Sequence, residues 1–217
     1  MPVLTIRGQA GSGSPQIGRQ VADRLHLDYV DREIIAKVAE RLRWSKQGIK
    51  QKEMPRVGLL GRIAEAVARS GGFEAGLGLP ASEIPLDDTH YLHGLESVIK
   101  ELASSGAIVI RGRGSQFILR DRPDAFHVLV VAPLDARVKR IMQRRKLDEE
   151  SALKDIAGWD NARREFSKRY FHAELEDPVH YDLVINTQYL SFEAAASIII
   201  NALPFKDTTK DAQAKTG

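Results

Sequence analysis

Residues 3–7 form a short β-rich run that stops at Gly8-Gln9-Ala10-Gly11-Ser12-Gly13. From Pro15 the apolar positions switch to helical spacing, through Ile17, Val21, Ala22 and Leu25. The pattern predicts strand, glycine loop, helix. A second short strand is predicted over 27–30, then a helix over 33–42 with Ile34, Ile35, Val38 and Leu42 on one side. Residues 43–88 change texture: a helix over 58–69 is followed by a glycine-rich stretch with Pro80 and Pro85, which reads as a mobile insertion able to close over a substrate. A helix over 90–104 carries Leu92, Leu95, Ile99 and Leu102 on one face and stops at Ser104-Ser105-Gly106.

The runs 107–110 and 127–132 are continuously apolar, the signature of parallel strands covered on both faces by helices. Pro133 leads into a helix with Leu134, Val138, Ile141 and Met142 inward, and Arg137, Lys139, Arg140, Arg144, Arg145 and Lys146 largely outward. Asp148 caps one more long helix, with Glu149 and Glu150 in its first turn. A last strand over 181–185 and a helix over 192–203 close the pattern, and the polar tail 205–217 is expected to be disordered. The alternation of strands and helices predicts one α/β domain over 1–204 with a parallel sheet.

A chain of 217 residues, 43% hydrophobic, can bury one large core. Thirty-two Lys and Arg against 29 Asp and Glu leave a charge of +3, so a nucleic-acid partner is not implied. Without cysteine there are no disulfides and no thiolate metal sites. No apolar run reaches the roughly 20 residues of a membrane span, and the expected location is the cytoplasm.

Gly8 to Gly13 fits the first half of a phosphate loop in the required strand–helix setting. The usual Lys and Ser/Thr are absent, and Ser14 and Pro15 follow instead. What remains is a backbone device: glycines that permit positive φ, consecutive N–H groups and a helix dipole, together able to hold an anion. The plain alternative is a tight turn. Beyond the carboxyl ends of the strands, where open α/β sheets bind ligands, lie Asp31, residues 111–115 and Asn186-Thr187. Arg113 has a guanidinium suited to bidentate phosphate contacts. Asp31 can orient substrate, hold a magnesium-bound water, serve as a base or simply cap the following helix. The six histidines show no zinc-ligand spacing.

Several motifs together resemble the cytidylate kinase-like family: Gly11-Ser12-Gly13, Gln16-Ile17-Gly18, Asp31-Arg32-Glu33-Ile34-Ile35, Val109-Ile110-Arg111-Gly112-Arg113-Gly114, Ala132-Pro133-Leu134 with Arg137-Val138-Lys139-Arg140, and Tyr181-Asp182-Leu183-Val184-Ile185-Asn186-Thr187. The resemblance implies an adenylate-kinase-like P-loop sandwich with a five-stranded parallel sheet, a helical substrate-binding insertion over 43–88 and a lid with its following helix over 144–172. It implies transfer of a phosphoryl group from ATP, with magnesium, to a nucleoside monophosphate, CMP or dCMP first. The loop residues Gly8, Gly11, Ser12, Gly13 and Ser14 would hold the donor phosphates. Asp31, Arg113, Asp160 and Arg163 would bind the acceptor, and Arg140, Arg144 and Arg145 would act on the transferring group. The bland alternatives are an i, i+3 surface ion pair for Asp160 and Arg163 and a solvated basic face for the other arginines. Members of the family often carry Gly-Ser-Gly-Gly-Arg, which here is Gly11-Ser12-Gly13-Ser14-Pro15, and the aspartate of a Gly-Arg-Asp motif is Gly114. Two other functions fit these residues: a small-molecule hydroxyl kinase on the same fold, or a nucleotide-binding sensor or scaffold without turnover.

Overall fold

The computed structural model describes residues 2–31, 63 and 88–205. The sequence expectations for 33–42, for 43–87 except residue 63, and for the tail beyond 205 lie outside the described residues. Five strands make one all-parallel sheet: β1 Val3–Gly8, β2 Asp28–Asp31, β3 Ile108–Arg111, β4 Ala125–Val131 and β5 Leu183–Asn186, in the order β2-β3-β1-β4-β5. Each boundary lies within two residues of the sequence expectation. The helices are α1 Ser14–Leu25, α2 Asp88–Ser104, α3 Ser115–Ile118, α4 Leu134–Arg145, α5 Glu149–Phe171 and α6 Phe192–Ala202.

Strand side chains alternate between faces, and the two faces feed different cores. Leu4, Ile6, Val109, Val128 and Val130 pack with Ile17 and Val21 of α1 and Ile199 of α6. Val3, Val30, Ile108 and Ile110 pack with Leu95, Ile99 and Leu102 of α2 and Tyr170 of α5. The result is a three-layer α/β sandwich, with β1 central and its carboxyl end opening into the glycine loop.

Asp148 caps α5 as expected, its carboxylate accepting from the Ser151 N–H at 2.9 Å. The outward and inward faces assigned to α4 need two corrections. Arg137 is buried, because the buried carboxylate of Asp160 on α5 supplies the counter-charge that lets a guanidinium leave water. Leu134, expected inward, is 48% exposed at the first turn of α4. The one-turn α3 was not anticipated at all, since four residues carry no measurable period. No helix among the described residues is long and apolar enough to cross a membrane.

Candidate active site at the carboxyl end of the sheet

The glycine loop between β1 and α1 is held by its carbonyls. Gly8 O accepts from Arg163, Ala10 O from Arg137 at 3.2 Å, Gly11 O from Arg140 and Ser12 O from the Thr187 hydroxyl at 2.8 Å. Gln9 O and Gly13 O accept from Ser12 N–H and Ile17 N–H. Two N–H groups are also spoken for: Gln9 donates to Val130 O, and Ala10 donates to Asp160 Oδ1 at 2.9 Å. Among the described residues, the N–H groups of Gly11, Gly13, Ser14 and Gln16 find no acceptor. They lie at the amino end of α1, where the helix dipole favours an anion. Pro15 sits within the first turn, and its position offers no N–H.

Two glycines are obligatory here. Gly11 has φ +84, and a Cβ there would lie 2.8 Å from Arg137 O. Gly13, the N-cap of α1, has φ +96, and a Cβ would lie 2.2 Å from the ring of Phe192. Ser12 is completely buried behind the loop. Ser14 is nearly so, and only Ser14 of the two borders the open space in front of the loop.

That space is a cavity of about 790 Å³. Its walls include Gly11, Gly13, Ser14 and Gln16 on one side, and Arg111, Gly112, Arg113 and Arg163 on another. Phe117, Trp159 and Phe166 add an aromatic edge. Among the described residues the charged side chains lining it are Arg7, Arg19, Arg111, Arg113, Arg144 and Arg163, with no carboxylate among them.

The residues singled out in the sequence fall into four positions. Gly11, Gly13, Ser14, Arg113, Arg144 and Arg163 border the cavity. Asp31 and Asp160 lie behind it and hold its walls. Asp31, 1% exposed, faces Arg19 at 3.5 Å and its register partner Arg111 at 3.6 Å. Asp160, 5% exposed, binds Arg137 at 2.6 Å, Ala10 N–H and, more loosely, Arg163 at 3.5 Å. The i, i+3 pair with Arg163 is thus the weakest of Asp160's contacts. Gly8 and Ser12 support the loop from below: a Cβ on Gly8 would sit 2.6 Å from Ser12 Oγ.

Arg140 and Arg145 stand apart from the main cavity. Arg140 bridges the loop to Thr187 and lies over the Phe192 ring, at the edge of a smaller cavity of about 330 Å³ that Gly13, Gln16 and Arg144 share. Arg145 pairs with Asp155 and covers Trp159. Arg7 and Arg19 were not among the sequence candidates, and Arg111 stood there only as one of residues 111–115 beyond β3. The missed signal for Arg7 was the period-2 alternation itself, which continues Val3 and Thr5 onto a covered face and puts a cation there.

Gly112, Arg113 and Gly114 form a run of three positive-φ residues after β3, at +81, +59 and +68. A Cβ at Gly114 would lie 2.2 Å from the ring of Phe171, which stacks on Phe117 at a centroid distance of 5.0 Å. An aspartate at this position would therefore meet the Phe171 ring from a left-handed backbone.

The family model of the cytidylate kinase-like family matches residues 3–189. The chain belongs to the cytidylate kinase-like family. Among its relatives is a cytidylate kinase of Staphylothermus marinus, 26% identical over 199 residues, covering 92% of this chain and 94% of that one. Another is a cytidylate kinase of Pyrobaculum islandicum, 25% identical, covering 97% and 99%. A solved structure of an uncharacterized protein from Eubacterium ventriosum superposes with a TM-score of 0.66 at 18% identity, covering 94% and 99%, a likeness of fold.

Proposed function

We propose that this protein transfers the γ-phosphoryl group of ATP to a nucleoside monophosphate, with CMP or dCMP as the first candidate. The observation that carries the reading is the loop itself. Its carbonyls are all turned to protein donors, its unsatisfied N–H groups begin a helix, and the cavity in front holds arginines without carboxylates. Such a surface suits two phosphate-bearing molecules side by side. The donor phosphates bind at the N–H groups of Gly11, Gly13 and Ser14, and the acceptor phosphate binds among the arginines at the end of β3 and on α5. An acceptor phosphate oxygen attacks the γ-phosphorus, the bond to the bridging oxygen breaks, and ADP leaves. Since this chemistry depends on positioning and electrostatic stabilisation, the guanidinium groups supply the charge that a loop lysine would otherwise provide.

Of the four arginines of α4, Arg144 is the one bordering both cavities, and we assign it to the transferring group. Arg113 and Arg163 hold the acceptor. The aromatic edge of Phe117, Trp159 and Phe166 suits a planar base.

The described residues fit ATP, whose phosphates match the N–H groups, better than they fit magnesium. Pro15 has no hydroxyl, Asp31 is committed to two arginines, and no group of three or more His, Asp or Glu among the described residues could hold a metal. We therefore derive no step through the metal, which would enter with the donor's own phosphates.

The test is a phosphoryl-transfer panel of nucleoside monophosphates with ATP and magnesium, followed by product analysis. Turnover of CMP or dCMP above the other acceptors supports the reading, and tight ATP binding with no acceptor phosphorylated refutes it. In that event the departures at Ser14, Pro15 and Gly114 favour a nucleotide-binding sensor or scaffold. Phosphorylation of a sugar or another hydroxyl compound alone would move the protein to the hydroxyl kinases.

A further inference from the structure

Among the described residues, two arginines of the cavity, Arg7 and Arg144, make no hydrogen bond and no salt bridge, and of these Arg144 is exposed on α4 whereas Arg7 is half-buried. Arg7 is the penultimate residue of the central strand, and by alternation its side chain leaves the sheet on the same face as Val3 and Thr5, towards α5. Arg19 and Arg111 share the carboxylate of Asp31, and Arg163 has Asp160 and Gly8 O. Among the described residues, the Arg7 guanidinium makes no hydrogen bond and no salt bridge, although it lines the cavity.

Its surroundings make that unusual. Burial, then the positive charge of Arg163 and, less, that of Arg111, push the Arg7 guanidinium down to about 9, against an opposing pull from Tyr181, were it ionised, and a smaller one from Asp160. Tyr181, also near, is no counter-ion. Burial pushes its phenol up to about 12, and its hydroxyl donates to Leu175 O and accepts from Gln116. A half-buried cation beside two others at the wall of an open cavity is completed by an anion that enters there. A guanidinium offers parallel N–H groups that match two oxygens of one phosphate.

We propose that Arg7 binds the phosphate of the acceptor, on the cavity floor between Arg111 and Arg163, and so selects phosphorylated acceptors over their nucleosides. This assignment rests on the nucleotide-kinase reading above. It adds a residue from β1 to an acceptor set that would otherwise come from β3 and α5 alone. The donor is the less suitable occupant, because its phosphates have the N–H groups of α1 to bind.

The experiment compares wild type with Arg7→Met and Arg7→Lys, using thermal unfolding with inorganic phosphate and calorimetry with CMP, cytidine and ATP. Arg7→Met keeps the length of the side chain and removes the charge. Without ligand it should melt at or above the wild-type temperature, since a half-buried cation that makes no ion pair has gone. Phosphate should raise the melting temperature of wild type and leave that of Arg7→Met nearly unchanged. The CMP dissociation constant should rise about ten- to a hundredfold in Arg7→Met, as expected for one charge-assisted contact, with partial recovery in Arg7→Lys. Cytidine and ATP affinities should stay within about twofold, below the tenfold that one such contact is worth.

Equal phosphate and CMP binding by wild type and Arg7→Met would overturn the proposal. So would loss of ATP rather than CMP binding, or a ligand-free Arg7→Met protein that melts far lower and is not rescued by Arg7→Lys. If phosphate stabilises wild type but not Arg7→Met while CMP binds neither, the nucleotide reading fails and the anion seat at Arg7 stands.

Discussion

Replacing Asp160 by alanine tests whether this carboxylate is a structural tie or a substrate contact. In the native fold Asp160 is 5% exposed and Arg137 8%, with 2.6 Å between their charged groups. Alanine would strand the Arg137 guanidinium in the interior and remove the acceptor of the Ala10 N–H at 2.9 Å. Removing one partner of a buried pair costs about 3–5 kcal/mol, a large part of the roughly 5–15 kcal/mol that holds a domain together. Asp160→Asn retains an oxygen for the Ala10 N–H and forfeits only the charge, so it should cost less, about 1–3 kcal/mol. The double variant Asp160→Leu with Arg137→Met removes both charges and should recover most of the alanine loss. Urea unfolding followed by circular dichroism measures all three as shifts in midpoint at constant slope. A cost under about 1 kcal/mol for Asp160→Ala would refute the structural tie. Unchanged stability with a raised acceptor KM would make Asp160 a nucleotide contact instead.

Gly114→Asp, which would restore a Gly-Arg-Asp motif, should destabilise the protein by at least the roughly 1–3 kcal/mol of a strained left-handed residue. Adding Phe171→Ala should relieve the ring clash but not the backbone strain, as thermal unfolding of the single and double variants will report. Arg144→Ala should lower kcat about ten- to a hundredfold with no change in melting temperature. Arg145→Ala, which loses only Asp155 and Trp159, should leave kcat and KM at wild-type values in steady-state kinetics. The hydrogen-bonded guanidinium of Arg122 holds the Asp124 carboxyl below its usual value. A carboxyl depressed in the folded state adds stability above its unfolded pKa of about 4, and that stability is lost as pH falls through the folded value. Asp124→Asn should therefore flatten the acid limb of the melting-temperature profile, and an unchanged limb would refute the pairing.

The strand–loop–helix unit of residues 3–25 was legible because two periods, 2 and 3.6, meet at a glycine run. The Asp148 cap was legible for a related reason: a cap acts within one turn, so its partners are neighbours in sequence. Arg137 was misplaced because periodicity sorts residues by class and cannot see a counter-charge 23 positions away. Asp160 was paired on paper with Arg163, its neighbour at i+3, whereas its stronger contacts are Arg137 and the backbone of Ala10. Arg7 passed as the end of a strand. Its significance depends on β3 and α5 bringing Arg111 and Arg163 beside it, which only the assembled sheet reveals.

The closure of the glycine loop by its own protein donors has a thermodynamic consequence. Carbonyls from Gly8 to Gly13 are fixed by Arg163, Ser12, Arg137, Arg140, Thr187 and Ile17 before any nucleotide arrives. The ordering entropy that a slack loop would surrender on capturing a ligand has therefore been settled during folding. Association at this end of the cavity should resemble the docking of two rigid bodies. Its heat should come from hydrogen bonds made, with little offset from chain that has to be quietened first.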